Sequence, residues 1–536
     1  MLAVAVVSAT PRSPFFAVLP EGYEPSGPLR WLADLLQLQR LNDTGLVIVG
    51  LIATSAAAIG FLLVAREAWN GRITMRTVIV LAVVYNVTVV ALPLLFSRDV
   101  YSYAYYGRII TTYGSNPYVL APKDFPINSL FHLTWPGWRG TPSVYGPLFT
   151  WISAILTVVA KSLPSVITSF QMVTAAASLG TVAIVARLVK RVRPARAVFA
   201  AAMIGLNPIV VFHVVGGGHN DMLVAFFIAA ALALVFNQRY LWSAVTLALG
   251  MSVKATAVIP LVLLIVMVVA DTEPGRRRRV LMTYVGVSGG VWLALAIPFL
   301  QSINPTLGLM EVAGHDSWLA PGQILVHLFS GIGRLIGGEP FAEHAQVLAR
   351  ITLLATSTGA VLWIARKLWT KPEWRTPTAL AAAWGWALLA VILPAPILFT
   401  WYLMWILPLV WVLPKIPRRS MVLLSVFFVV TQLVTESQRL PDGLRSVHLT
   451  FGHPVAIAVC IWVGITLYRR LRDDVPFEAE TSQPTLGDRF EAGPAMPIER
   501  SAVVTLPPAT NPVPDRRSSD GHARPRPRTG APRSAR

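Results

Sequence analysis

Apolar runs of about 20 residues recur along this chain from position 45 to position 468, separated by short clusters of lysine and arginine. A run of that length crosses the ~30 Å hydrocarbon core as a helix, the one open-ended element that pairs every backbone N–H and C=O within its own segment. Composition agrees, since 54% of the 536 residues are hydrophobic and 13% are charged, against roughly 25% charged in a soluble globular chain. A soluble enzyme is excluded. Length alone suggests about three or four soluble domains, but one polytopic, all-α membrane domain fits the apolar pattern better.

The formal net charge is +19 and the pI about 10.6. The tail from 473 to 536 balances nine arginines against nine carboxylates, so the excess lies wholly in the membrane part. There it sits in alternate loops, around Arg66–Arg76, Arg187–Arg196, Arg239, Arg276–Arg279, Arg366–Arg375, Lys415–Arg419 and Arg469–Arg472, with twenty-three basic and four acidic residues in all. The intervening loops are nearly neutral, which places the basic ones in the cytoplasm. No basic stretch is interleaved with aromatic residues, so the expected partner is a lipid bilayer and not a nucleic acid. Cys460 is the only cysteine, which excludes an intramolecular disulfide and a cysteine metal site.

Counting from the Arg66–Arg76 loop gives spans near 45–65, 77–96, 165–188, 197–215, 221–237, 280–300, 346–367, 377–395, 398–413, 420–436 and 454–468. Residues 240–270 join two cytoplasmic loops and must cross an even number of times, yet are too short for two full helices of ~20 residues. Two short helices meeting near Lys254 are expected, making about 13 crossings with the C-terminus inside. Residues 1–44 read as the remnant of a first helix followed by an extracytoplasmic segment with an interfacial helix at 29–41. Residues 45–472 are expected to form the membrane domain, and 473–536, with eleven prolines, a disordered cytoplasmic tail. Two outer loops are long, 97–165 and 301–346. Within the first, 145–161 is expected to lie in the outer interface, because a crossing there would invert every later charge assignment.

No P-loop, HExxH, GxSxG or nucleotide-binding glycine loop occurs, so chemistry has to come from polar residues on the outer face. The densest group is SRDVYSYAYYGR at 97–108, in which Arg98, Asp99 and four tyrosines suit sugar rings, hydroxyls and an anion. If helical, it puts Asp99, Tyr103 and Tyr106 on one face; an interfacial aromatic belt is the competing reading. Next comes GGGHND at 216–221, where His219, Asn220 and Asp221 either cap the following helix or meet a polar ligand. Lys254, between Val253 and Ala255, is costly in an apolar segment and marks a functional site or a snorkelling side chain. Lesser candidates are Asn116-Pro117-Tyr118, Tyr145-Gly146-Pro147, His315-Asp316-Ser317-Trp318 and Phe399-Thr400-Trp401-Tyr402.

These blocks resemble the actinobacterial polyprenyl-phosphate-mannose-dependent α-1,6-mannosyltransferases of lipomannan and lipoarabinomannan synthesis. The matching pieces are SRDVYSYAYYGRI (97–109), NPY (116–118), TPSVYGPLF (141–149), GLNPIVVFHVVGGGHND (205–221), VKATAVIPL (253–261), SWLAP (317–321) and the Trp401-Tyr402 pair. The resemblance implies a GT-C glycosyltransferase in the plasma membrane, with an extracytoplasmic site, a polyprenyl-phosphate-mannose donor and a mannan or lipoglycan acceptor. It implies Asp99 as general base, Lys254, Arg98 and His219 on the donor phosphate, and Tyr101, Tyr103, Asn220, Asp221, Trp318, Trp401 and Tyr402 along the sugar and acceptor. Such enzymes usually carry one or two acids in the first large outer loop. Here Tyr101 stands where the second acid of a DxD pattern would be, which disfavours a divalent metal, and no other cofactor is expected. The alternatives are a related transferase using lipid-linked arabinose or glucose, and a lipid-linked sugar flippase or transporter.

Overall fold

The computed structural model describes residues 1–16, 18–19, 29–302, 320–436 and 442–477, all within one compact unit, Met1–Glu480. A second unit, Thr481–Arg536, lies outside these residues, and with it most of the expected tail. Among the described residues the architecture is all-helical, with a single isolated β-bridge between Phe16 and Leu95. Six helical runs are long and apolar enough to cross a membrane: Asp43–Trp69, Leu163–Val192, Pro194–Val215, Pro274–Leu300, Pro321–Thr370 and Gly452–Arg472. Shorter apolar helices, among them Met75–Val90, Asp221–Phe236 and Pro377–Ile392, fill in between them.

Local sequence explains the helix ends. Asn42 accepts a hydrogen bond from the Gly45 N–H, Thr74 one from Thr77 and Thr376 one from Ala379, so each side chain pairs a donor that the helix leaves free. Pro194–Val215 and Pro377–Ile392 are almost wholly buried, whereas Pro274–Leu300 turns Leu281, Met282, Val285 and Leu293 outward, as a lipid-facing helix does. Where lipid is as apolar as the core, close packing of small residues holds helices together. Gly205 shows this, since a Cβ there would stand 2.8 Å from that of Ala82.

The two short helices expected between 240 and 270 are Tyr240–Met251 and Val258–Ala270, and between them Lys254 is fully extended (φ −153°, ψ 134°). The carbonyls freed by the break are not wasted: Val253 accepts from the Gly146 N–H at 3.0 Å and Ser252 from the Leu148 N–H at 2.8 Å. The helix that follows, Pro147–Val159, packs along the tyrosine helix Asp99–Thr111, with Gly107 against the Ser153 carbonyl.

Three expectations need correction. The outer loop expected at 301–346 is helical from Pro321 onward, and the chain reverses at Gly337-Gly338, where Gly338 has φ +74°. Ser330 and Gln346 consequently meet at 3.0 Å, the geometry of a helical hairpin. Apolar periodicity over Ile324, Leu325, Leu328 and Ile332 favours the added helix, and Gly-Gly-Glu-Pro makes the reversal. The span expected at 398–413 is wound in 3-10 turns, Thr400–Trp405 and Leu407–Leu409, because Pro408 cannot join an α-helical ladder. The interfacial helix at 29–41 is split into Arg30–Leu35 and a 3-10 turn Leu38–Arg40 by Gln37 at φ +54°.

A Cβ on Gly146 would come within 2.3 Å of the Ser252 carbonyl oxygen, whereas Gly286 has no neighbour within 4 Å. Gly146→Ala should therefore destabilise the protein by about 1–3 kcal/mol, read as a lowered Tm in detergent. Gly286→Ala, in an open helix position, should leave Tm unchanged or raise it.

Candidate active site

Three interruptions of regular helix meet at one end of the bundle, and each contributes polar or aromatic side chains. The first precedes the tyrosine helix, whose N-cap is Arg98 and whose first residue is Asp99. The second is the turn Gly216–Asn220 between a π-helical stretch, Ile209–Val215, and the helix Asp221–Phe236. Gly218 has φ +64°, and a Cβ there would strike Val100 of the tyrosine helix at 2.6 Å, so glycine alone lets the turn lie against that helix. The Gly216 carbonyl is held by the Leu95 N–H and by the Gln171 amide. The third is the break at Lys254, faced by the 3-10 turn that carries Trp401, Tyr402 and Trp405.

Two contacts organise the site. The His219 Nδ1 lies 3.4 Å from the Asp99 Oδ2, with the imidazole fully buried and 16% of the Asp99 side chain exposed. Lys254 donates to the Asp221 Oδ1 at 2.8 Å, with Asp221 fully buried and 17% of the Lys254 side chain exposed. Each buried partner thus stands behind one that still reaches open space. The Trp405 Nε1–H donates to the same Asp221 oxygen at 2.8 Å.

Aromatic rings fix the geometry. The His219 ring stacks on Trp401 at 3.8 Å, and Trp401 stacks on Phe399 at 4.8 Å. Tyr402 stacks on Trp405, and the Lys254 ammonium lies over both rings, 4.5 Å and 5.3 Å from their centres. Tyr103 meets Tyr145 edge-on, and its hydroxyl reaches toward the Asp99 Oδ2 at 3.5 Å. Burial first, then Tyr145, Asp99 and Asp221, hold the Tyr103 pKa well above the usual tyrosine value, so this hydroxyl stays a neutral donor.

The structure therefore gathers Asp99, Tyr103, His219, Asn220, Asp221, Lys254, Trp401 and Tyr402. Tyr101 faces away: it is buried, and its hydroxyl donates to the Val18 carbonyl, so it anchors the N-terminal segment and does not line the site. Arg98 is half-buried at the helix start. Trp318 lies outside the described residues, as do His315 and Asp316. Neither Asn220 nor Asp221 caps its helix by a side-chain hydrogen bond, and Lys254 reaches Asp221 instead of snorkelling. Trp405 is a site residue that the sequence reading missed, although its spacing from Trp401 and Tyr402 put a third large ring in the same turn.

Among the described residues, both side-chain polar atoms of Asn220, the His219 Nε2, the Asp221 Oδ2 and the Thr400 Oγ1 are buried without a hydrogen-bond partner. Unpaired buried polar groups are costly, and these four residues belong to the segments that carry the site. No group of three or more His, Cys, Asp or Glu among those residues is arranged to hold a metal ion, and one Asp221 oxygen is already taken twice. Among the described residues, the donor set does not fit a divalent metal.

A family model described as "Alpha-(1->6)-mannopyranosyltransferase, N-terminal domain" matches residues 14–270. Alpha-(1->6)-mannopyranosyltransferase A of Mycobacterium tuberculosis is 24% identical over 78% of this chain and 80% of its own length. The enzyme of the same name from Corynebacterium glutamicum is 31% identical over 32% of this chain and 35% of its own. Among solved structures, the Archaeoglobus fulgidus oligosaccharyltransferase aligns with 74% of this chain and 55% of its own at 13% identity, with a TM-score of 0.36, too low to bear on the fold. A membrane chain with this site and these relatives is a glycosyltransferase. Its residues 14–270 match the N-terminal domain of the alpha-(1->6)-mannopyranosyltransferase family, and its relatives carry that name.

Removing one partner of a buried ion pair typically costs about 3–5 kcal/mol. Lys254→Met and Asp221→Asn should each lower Tm in detergent, and the double variant should lose clearly less than the two losses added together. Strict additivity would show that the two residues are not coupled.

Proposed function

We propose that this chain transfers mannose from a β-linked polyprenyl-phosphate donor to a hydroxyl of an α-1,6-mannan or lipoglycan, with inversion, on the extracytoplasmic face of the plasma membrane. The relatives' names support the sugar and the linkage. The alternation of basic and neutral loops supports the side, since it places Asp99 outside and residues 473–536 inside. A lipid-carried donor suits a face where nucleotide sugars are absent, and a GT-C arrangement suits both.

One observation carries the mechanism: of the two carboxylates among the described residues of the site, only Asp99 is partly exposed, while Asp221 is buried under Lys254 and Trp405. Asp99 takes the proton of the attacking hydroxyl as its oxygen bonds to the mannose anomeric carbon. The bond from that carbon to the phosphate oxygen breaks on the opposite face, and the electron pair leaves with the polyprenyl phosphate. Lys254 has N–H donors beyond the one given to Asp221, and these meet the growing phosphate charge, as Arg98 does from the helix start. His219 stands behind the Asp99 carboxylate, while Trp401, Tyr402 and Tyr103 border the sugars.

Asp99→Asn keeps shape and hydrogen bonding but removes basicity. The purified variant should retain its Tm and lose transfer from polyprenyl-phosphate-mannose to a short α-1,6-mannoside by at least ~10²-fold. Near wild-type elongation would move the base to Asp221 and then Asp316.

Orientation is tested separately in a Cys460→Ser background. A cysteine at the exposed Thr112 should react with an impermeant maleimide from outside the cell, and one at the exposed Gly275 only after permeabilisation. The reverse pattern would overturn the assignment of sides.

A further inference from the structure

Beside the start of the run Pro194–Val215, whose far end leads into the catalytic turn, lies a cleft of about 610 Å³ that the transfer reaction does not use. Arg196, beside it, opens the run that ends in the catalytic turn, and residues 197–215 at 1.5 Å per residue put about 28 Å between the two ends. The cleft opens between Asp43–Trp69 and Lys415–Glu436. Arg66, Lys415, Arg418 and Arg419 line one part of it, and Leu62, Ala65, Val422 and Leu423 another.

The positive charge here is not neutralised from within. Among the described residues, Arg196, Lys415, Arg418 and Arg419 have no carboxylate within ion-pair distance. The nearest acid in sequence, Glu67, stands 4.0 Å from Arg66 and 3.2 Å from Arg72. Arg196 and Arg418 are fixed in place: their guanidiniums lie 3.5 Å and 4.0 Å from the centre of the Trp69 ring, and they donate to the Trp69 and Leu413 carbonyls. Two like charges are thus gathered on one indole, with Arg66, Lys415 and Arg419 exposed around them. Such a cluster attracts an anion from the surrounding medium.

The apolar half identifies the kind of anion. Leu62 and Leu423 extend from the cations toward the membrane-embedded part of their helices, and Leu423 is about half exposed. A free phosphate would leave that wall uncovered, whereas an acyl chain covers it while its headgroup meets the guanidiniums. We infer that this cleft binds an anionic phospholipid, its phosphate held by Arg66, Lys415 and Arg419 and its acyl chain lying along Leu62 and Leu423.

The test is native mass spectrometry of the full-length protein released from detergent micelles containing phosphatidylglycerol or phosphatidylcholine. Arg418 is left intact so that the Trp69 packing survives in every variant. The wild type should retain phosphatidylglycerol and shed phosphatidylcholine, and Lys415→Gln/Arg419→Gln should retain about tenfold less phosphatidylglycerol. Arg278→Gln/Arg279→Gln, an equal loss of charge in another basic loop, should behave as wild type. Equal retention of both lipids, equal losses in the two double variants, or displacement of the lipid by inorganic phosphate alone would overturn the inference.

Discussion

A buried carboxylate is the constraint around which the rest is arranged. Asp221 is fully enclosed, and an unpaired charge there would not be tolerated. Its Oδ1 accepts from Lys254 and from Trp405, so three segments distant in sequence converge on one oxygen. Lys254 can reach it only because the helix pair Tyr240–Met251 and Val258–Ala270 is broken beside it. Trp405 can reach it only because its segment winds as a 3-10 turn.

Such breaks are expensive in a membrane domain, where exposed backbone groups find no water. Here other parts of the chain pair them. The Tyr145–Leu148 loop donates to the carbonyls at the Lys254 break, and the Tyr118 hydroxyl in turn donates to the Tyr145 carbonyl at 2.8 Å. Gln171 closes on the Gly216 carbonyl of the glycine turn. The fold therefore spends its irregular backbone where side chains must converge and keeps regular helix elsewhere.

Much of this was legible in the chain itself. The ~20-residue period and the alternating basic loops gave the membrane class and the helix order. Lys254, isolated among apolar residues, marked the break, and GGGHND marked a turn with chemistry in it. What stayed hidden depends on distance in space. Single-sequence periodicity does not say that Asp221 faces Lys254, nor that Tyr101 points to Val18 while Tyr103, two residues on, points to Asp99. The hairpin at Gly337-Gly338 was missed because its glycines and Glu339-Pro340 read equally well as loop.

The site pairs an accessible carboxylate with an accessible ammonium, each backed by a buried partner, beneath stacked aromatic rings. That arrangement suits a single displacement in which proton removal and phosphate departure occur on opposite faces of a sugar. The most direct test is the anomeric configuration of the linkage formed when the purified protein acts on a chemically defined β-linked polyprenyl-phosphate-mannose and a short α-1,6-mannoside, read from one-bond carbon–proton coupling. The account predicts an α-linked product. A β-linked product, or donor moved across the bilayer with no new glycoside, would contradict it.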